Sequence, residues 1–431
     1  MRKANTRWMI LLLAVAGVSH QARLYAQTIE QVTFEEAILR AMTNHPTVHG
    51  AAAGVLRADS ILQQVRARSR PVVDASFGVN VIDPIARFSG SAINPRTQTV
   101  TTAGLSVPLL TPVSWAQGNQ AADQVMVSQR AFVEARRAAA IAAADAYLTV
   151  IAQRHVLELN ERARDNARAH YEFARQRYDG GIGSRLNAVR AQQELSGDEA
   201  RVEEARLGIR RAQETLGVLI AVDGPVDAAG DPIFELPPDT DNSSQPTDGS
   251  AFAGRADVQL VIQRQLAAER VARDAWKDKL PSVTSLFAPQ WSAPSGLFGE
   301  MRSWRASVLF SVPLFDSGQR SGLERERRAL VEMVRTERSN IERQASSEIR
   351  TAREAVAATE RALQYSRTAA DQANEVVRIT DVAFREGATT NIEVIDAQRG
   401  ARDAETAAVI AEHAVRRARL ELLVSTGRFP Q

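Results

Sequence analysis

The chain has no cysteine in 431 residues. That one absence removes disulfides, thiolate metal sites, a cysteine nucleophile and a lipid-modified N-terminal cysteine together. Aromatic residues are scarce at 5%, so the large aromatic-rich core of an ordinary multidomain protein of this length is not expected. Neither sign of charge dominates, with 53 Lys+Arg against 51 Asp+Glu. Beyond the N-terminus there is no apolar run long enough for a membrane helix. The mature chain therefore either stays soluble in an exported compartment or crosses a membrane as a barrel.

The N-terminus carries Arg2, Lys3 and Arg7, then the apolar run MILLLAVAGV at 9–18, then LYA ending at Ala26. This order of charge, apolar stretch and small residue predicts a secretory signal peptide over 1–26. Its removal takes four basic residues and no acidic one, leaving 49 Lys+Arg against 51 Asp+Glu. The high isoelectric point then carries no implication of nucleic-acid binding.

What remains repeats itself at a spacing of about 206 residues, far beyond solenoid periods. RYDGGIGSRLNAVRAQ at 177–192 aligns with AFREGATTNIEVIDAQ at 383–398, setting Gly181 over Gly387 and Ser184 over Thr390. SVPLLTP from Ser106 matches SVPLFDSG from Ser311, and SRPVVDASF matches KLPSVTSLF. The expected organisation is a first repeat within 27–222, a Pro-, Gly- and Asp-rich linker over 223–251, and a second repeat with a C-terminal segment over 252–431. One short strand is expected in the linker at 233–236.

Each repeat reads as helix, two strands, very long helix, turn, helix. The first helix opens at TFEE, where Thr33 and Glu36 have capping-box spacing, and should run to about Ser69, since Pro71 follows. From Gly118 to Gly180 there is neither Pro nor Gly, and the second half is broken only by Gly322 between 319 and 386. Either rod would be roughly 90 to 100 Å long. Such helices need lateral partners, so they should pack as antiparallel, coiled-coil-like hairpins. A solvated helical bundle accounts equally well for any one Ala-, Arg- and Glu-rich stretch.

The strands alternate. Along 72–82, Val73, Ala75, Phe77, Val79 and Val81 oppose Asp74, Ser76, Gly78 and Asn80; along 303–312, Trp304, Ala306, Val308, Phe310 and Val312 oppose Ser303, Arg305, Ser307 and Ser311, with Leu309 the exception. The segments 98–110 and 282–293 alternate less cleanly. About ten residues is what a tilted strand needs to cross a membrane, and Trp115, Trp276, Trp291 and Trp304 lie near strand ends, as interfacial aromatics do. Four strands per chain fall short of the eight or so a closed membrane barrel requires, so several copies must share one barrel.

These features together resemble the TolC family of outer-membrane efflux and secretion channels. The likeness rests on the leader, the duplication, NHP at 44–46 with its counterpart RADV at 255–258, VPL before each long helix, and the two Gly turns followed by AQ. It implies a mainly α fold with a transmembrane β-barrel. Long antiparallel helices form an α-barrel, and a homotrimer completes a shared 12-stranded barrel in outer-membrane lipid. It further implies a passive duct of a tripartite efflux or type I secretion system, docking to a periplasmic adaptor (membrane fusion) protein and an inner-membrane pump, with no cofactor and no nucleic-acid partner. The family's adaptor-contact tip carries over onto Gly181, Ser184, Leu186, Gly387, Thr390 and Ile392, although a tight reversal alone also explains the glycines. Asn187, Arg190, Glu393 and Asp396 become periplasmic gate candidates, against ordinary solvated helix charge. The absent N-terminal cysteine and Ala256 in place of the family's Pro are departures, the second expected to act only locally.

Catalysis finds little support. His45 and His49 have a metal-compatible spacing without the following Glu of a zincin; GGIG lacks the Lys of a phosphate loop; DSG at 316–318 is better placed to cap a helix. The competing expectation is an exported periplasmic coiled-coil protein without a membrane barrel.

Overall fold

The computed structural model describes residues 29–236, 252 and 254–429. The expected signal peptide and most of the central linker lie outside the described residues. The chain runs β1 (Glu30–Val32), α1 (Phe34–Asn44), α2 (Pro46–Ala67), β2 (Val72–Val81), a two-stranded turn β3 (Arg87–Phe88) and β4 (Ser91–Ala92), β5 (Thr97–Leu110), α3 (Pro112–Asp179), α4 (Arg185–Leu219) and β6 (Val226–Ala228). The second repeat follows as α5 (Ala256–Arg273), a 3-10 turn (Asp274–Lys279), β7 (Ser282–Ala293), β8 (Arg302–Ser311), α6 (Gln319–Arg385) and α7 (Asn391–Ser425).

The 68 residues of α3 and 67 of α6 each rise about 100 Å. Gly322 does not interrupt α6, because one helical glycine costs only about 1 kcal/mol. α3 packs along α4 over its far half and along α2 nearer the sheet, and α6 does the same with α7 and α5. Two expectations need correction. The first helix does not run unbroken to Ser69: it stops at Asn44, because Pro46 has no N–H to continue the ladder, and His45 instead caps α2, its Nδ1 accepting from the Thr47 N–H at 3.3 Å. The short linker strand is not at 233–236; it is β6, which pairs in parallel with β1.

The core sits at mid-height around α3, where Ala139, Ala140, Ala143, Ala144, Tyr147, Leu148 and Ile151 are buried on every side. Alanines let the surrounding segments approach closely. Phe234 of the linker and Phe429 near the C-terminus both meet Phe34 here, and the Tyr147 hydroxyl donates to the Gly230 carbonyl at 2.9 Å. The described start of the linker and the C-terminal end thus pack together against α1 and α3, and are called the belt below.

β2, β5, β7 and β8 form one antiparallel sheet in that order. Register puts Phe77 with Thr101, Leu105 with Phe287, and Phe287 with Ala306, so the apolar sides of all four strands share one face. The partner face is mainly polar. β2 and β8 are both edges, exposed along their whole length, and they run in opposite directions.

Candidate functional site: the hairpin tips

Both long helices end in the same way. At the first tip the Ile182 N–H donates to the Arg177 carbonyl and the Gly181 N–H to that of Tyr178; at the second, Ala388 donates to Ala383 and Gly387 to Phe384. This is a Schellman cap with glycine in the left-handed region, Gly181 at φ +75° and Gly387 at φ +76°. The next helix then starts at once. Ser184 accepts from the Leu186 N–H at 3.2 Å, and the Glu393 carboxylate accepts from the Thr390 N–H at 3.2 Å, the capping box expected from the spacing. Gly183 is fixed by space instead: a Cβ there would lie 2.8 Å from the backbone of Arg177 and Tyr178.

All six expected tip residues are exposed, with Leu186 at 55% and Ile392 at 45%. Ile182, 76% exposed beside Gly181, belongs with them and was not anticipated. The gate candidates are dispersed in role. Glu393 is committed to its cap, Asp396 is exposed and 3.9 Å from Arg399, and Asn187 offers its carbonyl to the Asn391 side chain at 3.4 Å. Arg190 is partly buried.

Just behind the tips the two hairpins are joined by residues the sequence did not single out. His170 on α3 meets the Asn391 side chain on α7 at 2.8 Å, both buried. Phe384 of α6 packs against His170 and Phe173, with the Arg177 guanidinium over both phenyl rings. Three turns further along, Arg402 of α7 reaches Glu194 at 3.2 Å and Asp198 at 2.8 Å on α4, and Arg399 adds a second guanidinium to Glu194. Burial pushes the Glu194 carboxyl up, but the hydrogen bonds from Arg399 and Arg402 outweigh it and hold the group below its ordinary value. Above this cluster an open groove of about 620 Å³ runs between α3, α4 and α7.

Burial lowers the His170 pKa, against opposing contributions from Asn391 and Asp381, so the ring is held neutral. A depressed histidine contributes stability that is complete above its unfolded value near 6.5 and is lost as pH falls through the folded one. Amide protection in 170–180 and 384–395, measured against the intrinsic exchange rate at each pH, should therefore fall on mild acidification. His170→Ala should loosen the same segments at neutral pH by about 1–3 kcal/mol, the cost of leaving the Asn391 carbonyl oxygen unpaired, and abolish the pH step. An unchanged step in the variant would assign it elsewhere.

Among the described residues no group of acidic, histidine or cysteine side chains could hold a metal, and no helix is long and apolar enough to cross a membrane. His45 serves its helix cap, and at DSG it is Asp316 whose carboxylate caps α6, accepting from Gly318 and Arg320.

An antiparallel sheet with one apolar face, carried on helical rods that reverse at two matched tips, is the architecture of a channel-forming outer-membrane chain. The chain belongs to the outer membrane efflux protein family, whose sequence signature matches residues 37–222 and 249–428. It is a family of channels and not of enzymes. The fold is similar to that of CusC, with a TM-score of 0.78 at 13% identity over 92% of each chain. It is also similar to the outer membrane protein VceC of Vibrio cholerae, at 0.76 and 17% over 91% of this chain and 96% of that one. A membrane protein from Pseudomonas aeruginosa gives 0.78 at 18% over 92% and 91%. At these identities the likeness speaks for the fold. No curated protein sequence matches the chain.

Proposed function

We propose that the protein is the outer-membrane duct of a tripartite export system, three copies sharing one barrel and conducting cargo passively from an inner-membrane pump and periplasmic adaptor to the exterior. The observation that carries this is the four-stranded sheet with an apolar face and two unpaired edges. Because β8 runs opposite to β2, a neighbour's β2 beside β8 continues the antiparallel order, and no edge then remains in lipid. Three copies give twelve strands, above the minimum of about eight. Residues 1–26 act as the export signal in this reading, and the helices project from the barrel into the periplasm as a conduit of about 100 Å. Gly181, Ser184, Leu186, Gly387, Thr390 and Ile392 form the adaptor-facing rim, joined by Ile182. Efflux is favoured over type I secretion by the family description alone.

Purified full-length protein should migrate as a heat-dissociable trimer, fractionate with the outer membrane and conduct ions in planar bilayers; a folded, water-soluble monomer would overturn the reading. Of the gate candidates, Asp396 is the better placed, since Glu393 is occupied. Threefold repetition makes it a carboxylate ring, so Asp396→Asn should lower cation selectivity or raise open probability. Constancy of both would remove it from the gate.

A further inference from the structure

The four long strands contain three charged residues: Asp74, Arg302 and Arg305. Arg302 lies opposite Trp291 on the apolar side, at the start of β8. The other two are the only charges on the polar face, and register places them in one row across the sheet. Asp74 pairs with Gly104 and Ala288 with Arg305; Thr102 opposite Gln290 and Leu105 opposite Phe287 set Gly104 against Ala288. The row therefore reads acid, glycine, alanine, base. The two residues between are the smallest available, and the Asp74 carboxylate leans over Gly104, 2.7 Å from where a Cβ would stand. Three strand spacings separate Asp74 from Arg305, about 14 Å between Cα atoms. Both side chains are exposed, and neither forms an ion pair with a described residue.

We propose that Asp74 and Arg305 form a charged collar inside the barrel that sets its ion selectivity. This rests on the shared-barrel reading, in which the polar face lines the lumen. Repeated three times, the row supplies three carboxylates and three guanidiniums alternating around the wall. Within one copy the small residues between keep the opposite charges from meeting, and with strands tilted by about 40° the row climbs the wall, so the carboxylates and the guanidiniums stand as two rings roughly 9 Å apart in height, each of one sign. A twelve-stranded barrel with the usual tilt has a radius of roughly 12 Å. The Debye length is about 10 Å in 0.1 M salt and about 30 Å in 0.01 M, so the collar's field reaches the axis in dilute salt. Removing one sign leaves a single-sign ring.

The test is the chloride-to-potassium permeability ratio of the full-length channel in planar bilayers, across a KCl gradient whose dilute side is about 0.01 M. Asp74→Asn should raise the ratio at least about twofold and Arg305→Gln should lower it by a similar factor, while the double variant returns to the starting value. Arg302→Gln, on the other face, should leave the ratio unchanged. Single variants that conduct normally with an unshifted ratio, or that shift it in the same direction, overturn the collar and leave the shared barrel standing. Heat-dissociable trimers that carry no current, the unsubstituted protein included, overturn the barrel reading and the collar with it.

Discussion

Replacing Arg402 by methionine is expected to release the two helical hairpins from one another near the tip. The guanidinium sits between Glu194 and Asp198, one turn apart on α4, with all three side chains under a tenth exposed. Methionine keeps the aliphatic bulk and removes the charge, so two buried carboxylates face each other with only the flanking Arg399 and Arg201 to offset them. Removing one partner of a buried ion pair costs about 3–5 kcal/mol, and the retained flanking arginines place this case toward the lower figure. The cost falls on the α4–α7 contact, far from the belt and the sheet. Amide exchange should accelerate in 187–200 and 391–403 and remain as before in 139–151, while open probability rises. Adding Glu194→Gln should restore part of the protection by removing the repulsion. Unaltered exchange and gating in Arg402→Met would mean that the cluster fastens nothing.

The two connections near the tips answer to different pH windows. His170 weakens as pH falls below about 6.5, its ordinary value, because protonation places a charge in the buried site. Glu194 is held below its ordinary value of 4.5, so its contribution persists above that pH and is lost only as pH drops through the folded value. Loosening between pH 6.5 and 5 therefore reports the His170 contact while the ion cluster still holds. The two are separable in one titration.

These contacts are also where the sequence was least legible. The rods were written in long stretches without Pro or Gly, the reversals in Gly181 and Gly387, the starts of α4 and α7 in Ser184, Thr390 and Glu393, and the faces of the sheet in alternation along β2 and, Leu309 apart, along β8. All of these signals are local. Glu194 and Arg402 stand 208 residues apart, and His170 and Asn391 stand 221 apart. In helices this rich in Arg and Glu nothing marks which few charges turn inward. β1 and β6, three residues each, stabilise one another only after α3 and α4 have brought them together, so neither shows a periodicity of its own. The break at His45 is visible in Pro46, whose missing N–H suits the first turn of a new helix. The polar row across the sheet is partly legible, since Asp74 and Arg305 fall on the polar sides of their strands, but their common row needs the register.

Gly217→Ala is expected to be the most damaging substitution in the belt. α4 ends in a Schellman turn in which the Val222 N–H donates to the Gly217 carbonyl at 2.9 Å, and the chain then doubles back so that an added Cβ at Gly217 would lie 2.0 Å from the Gly224 carbonyl oxygen. The obstacle is backbone, which cannot swing aside as a side chain would. Relief requires moving the segment that leads into β6, and β6 carries the pairing with β1, the Asp227 carboxylate and Ala228 carbonyl that hold Arg154, and the route to Gly230 over Tyr147. Overpacking of a buried site costs about 1–3 kcal/mol, and a backbone clash of this depth should reach roughly 3 kcal/mol or more. Four residues on, the same turn contains the opposite case. Ala221 holds φ +59° where the duplicated position is Gly427 at +71°. Ala221→Gly removes a left-handed penalty of about 1–2 kcal/mol and gives back about 0.4–1 kcal/mol through the freer unfolded chain, leaving a small net gain. Limited proteolysis within 223–236 and the thermal loss of helical signal should then move in opposite directions for the two variants. A destabilised Ala221→Gly would show that the turn is held by something other than its backbone, and an undisturbed Gly217→Ala that the belt does not need the chain to pass so close.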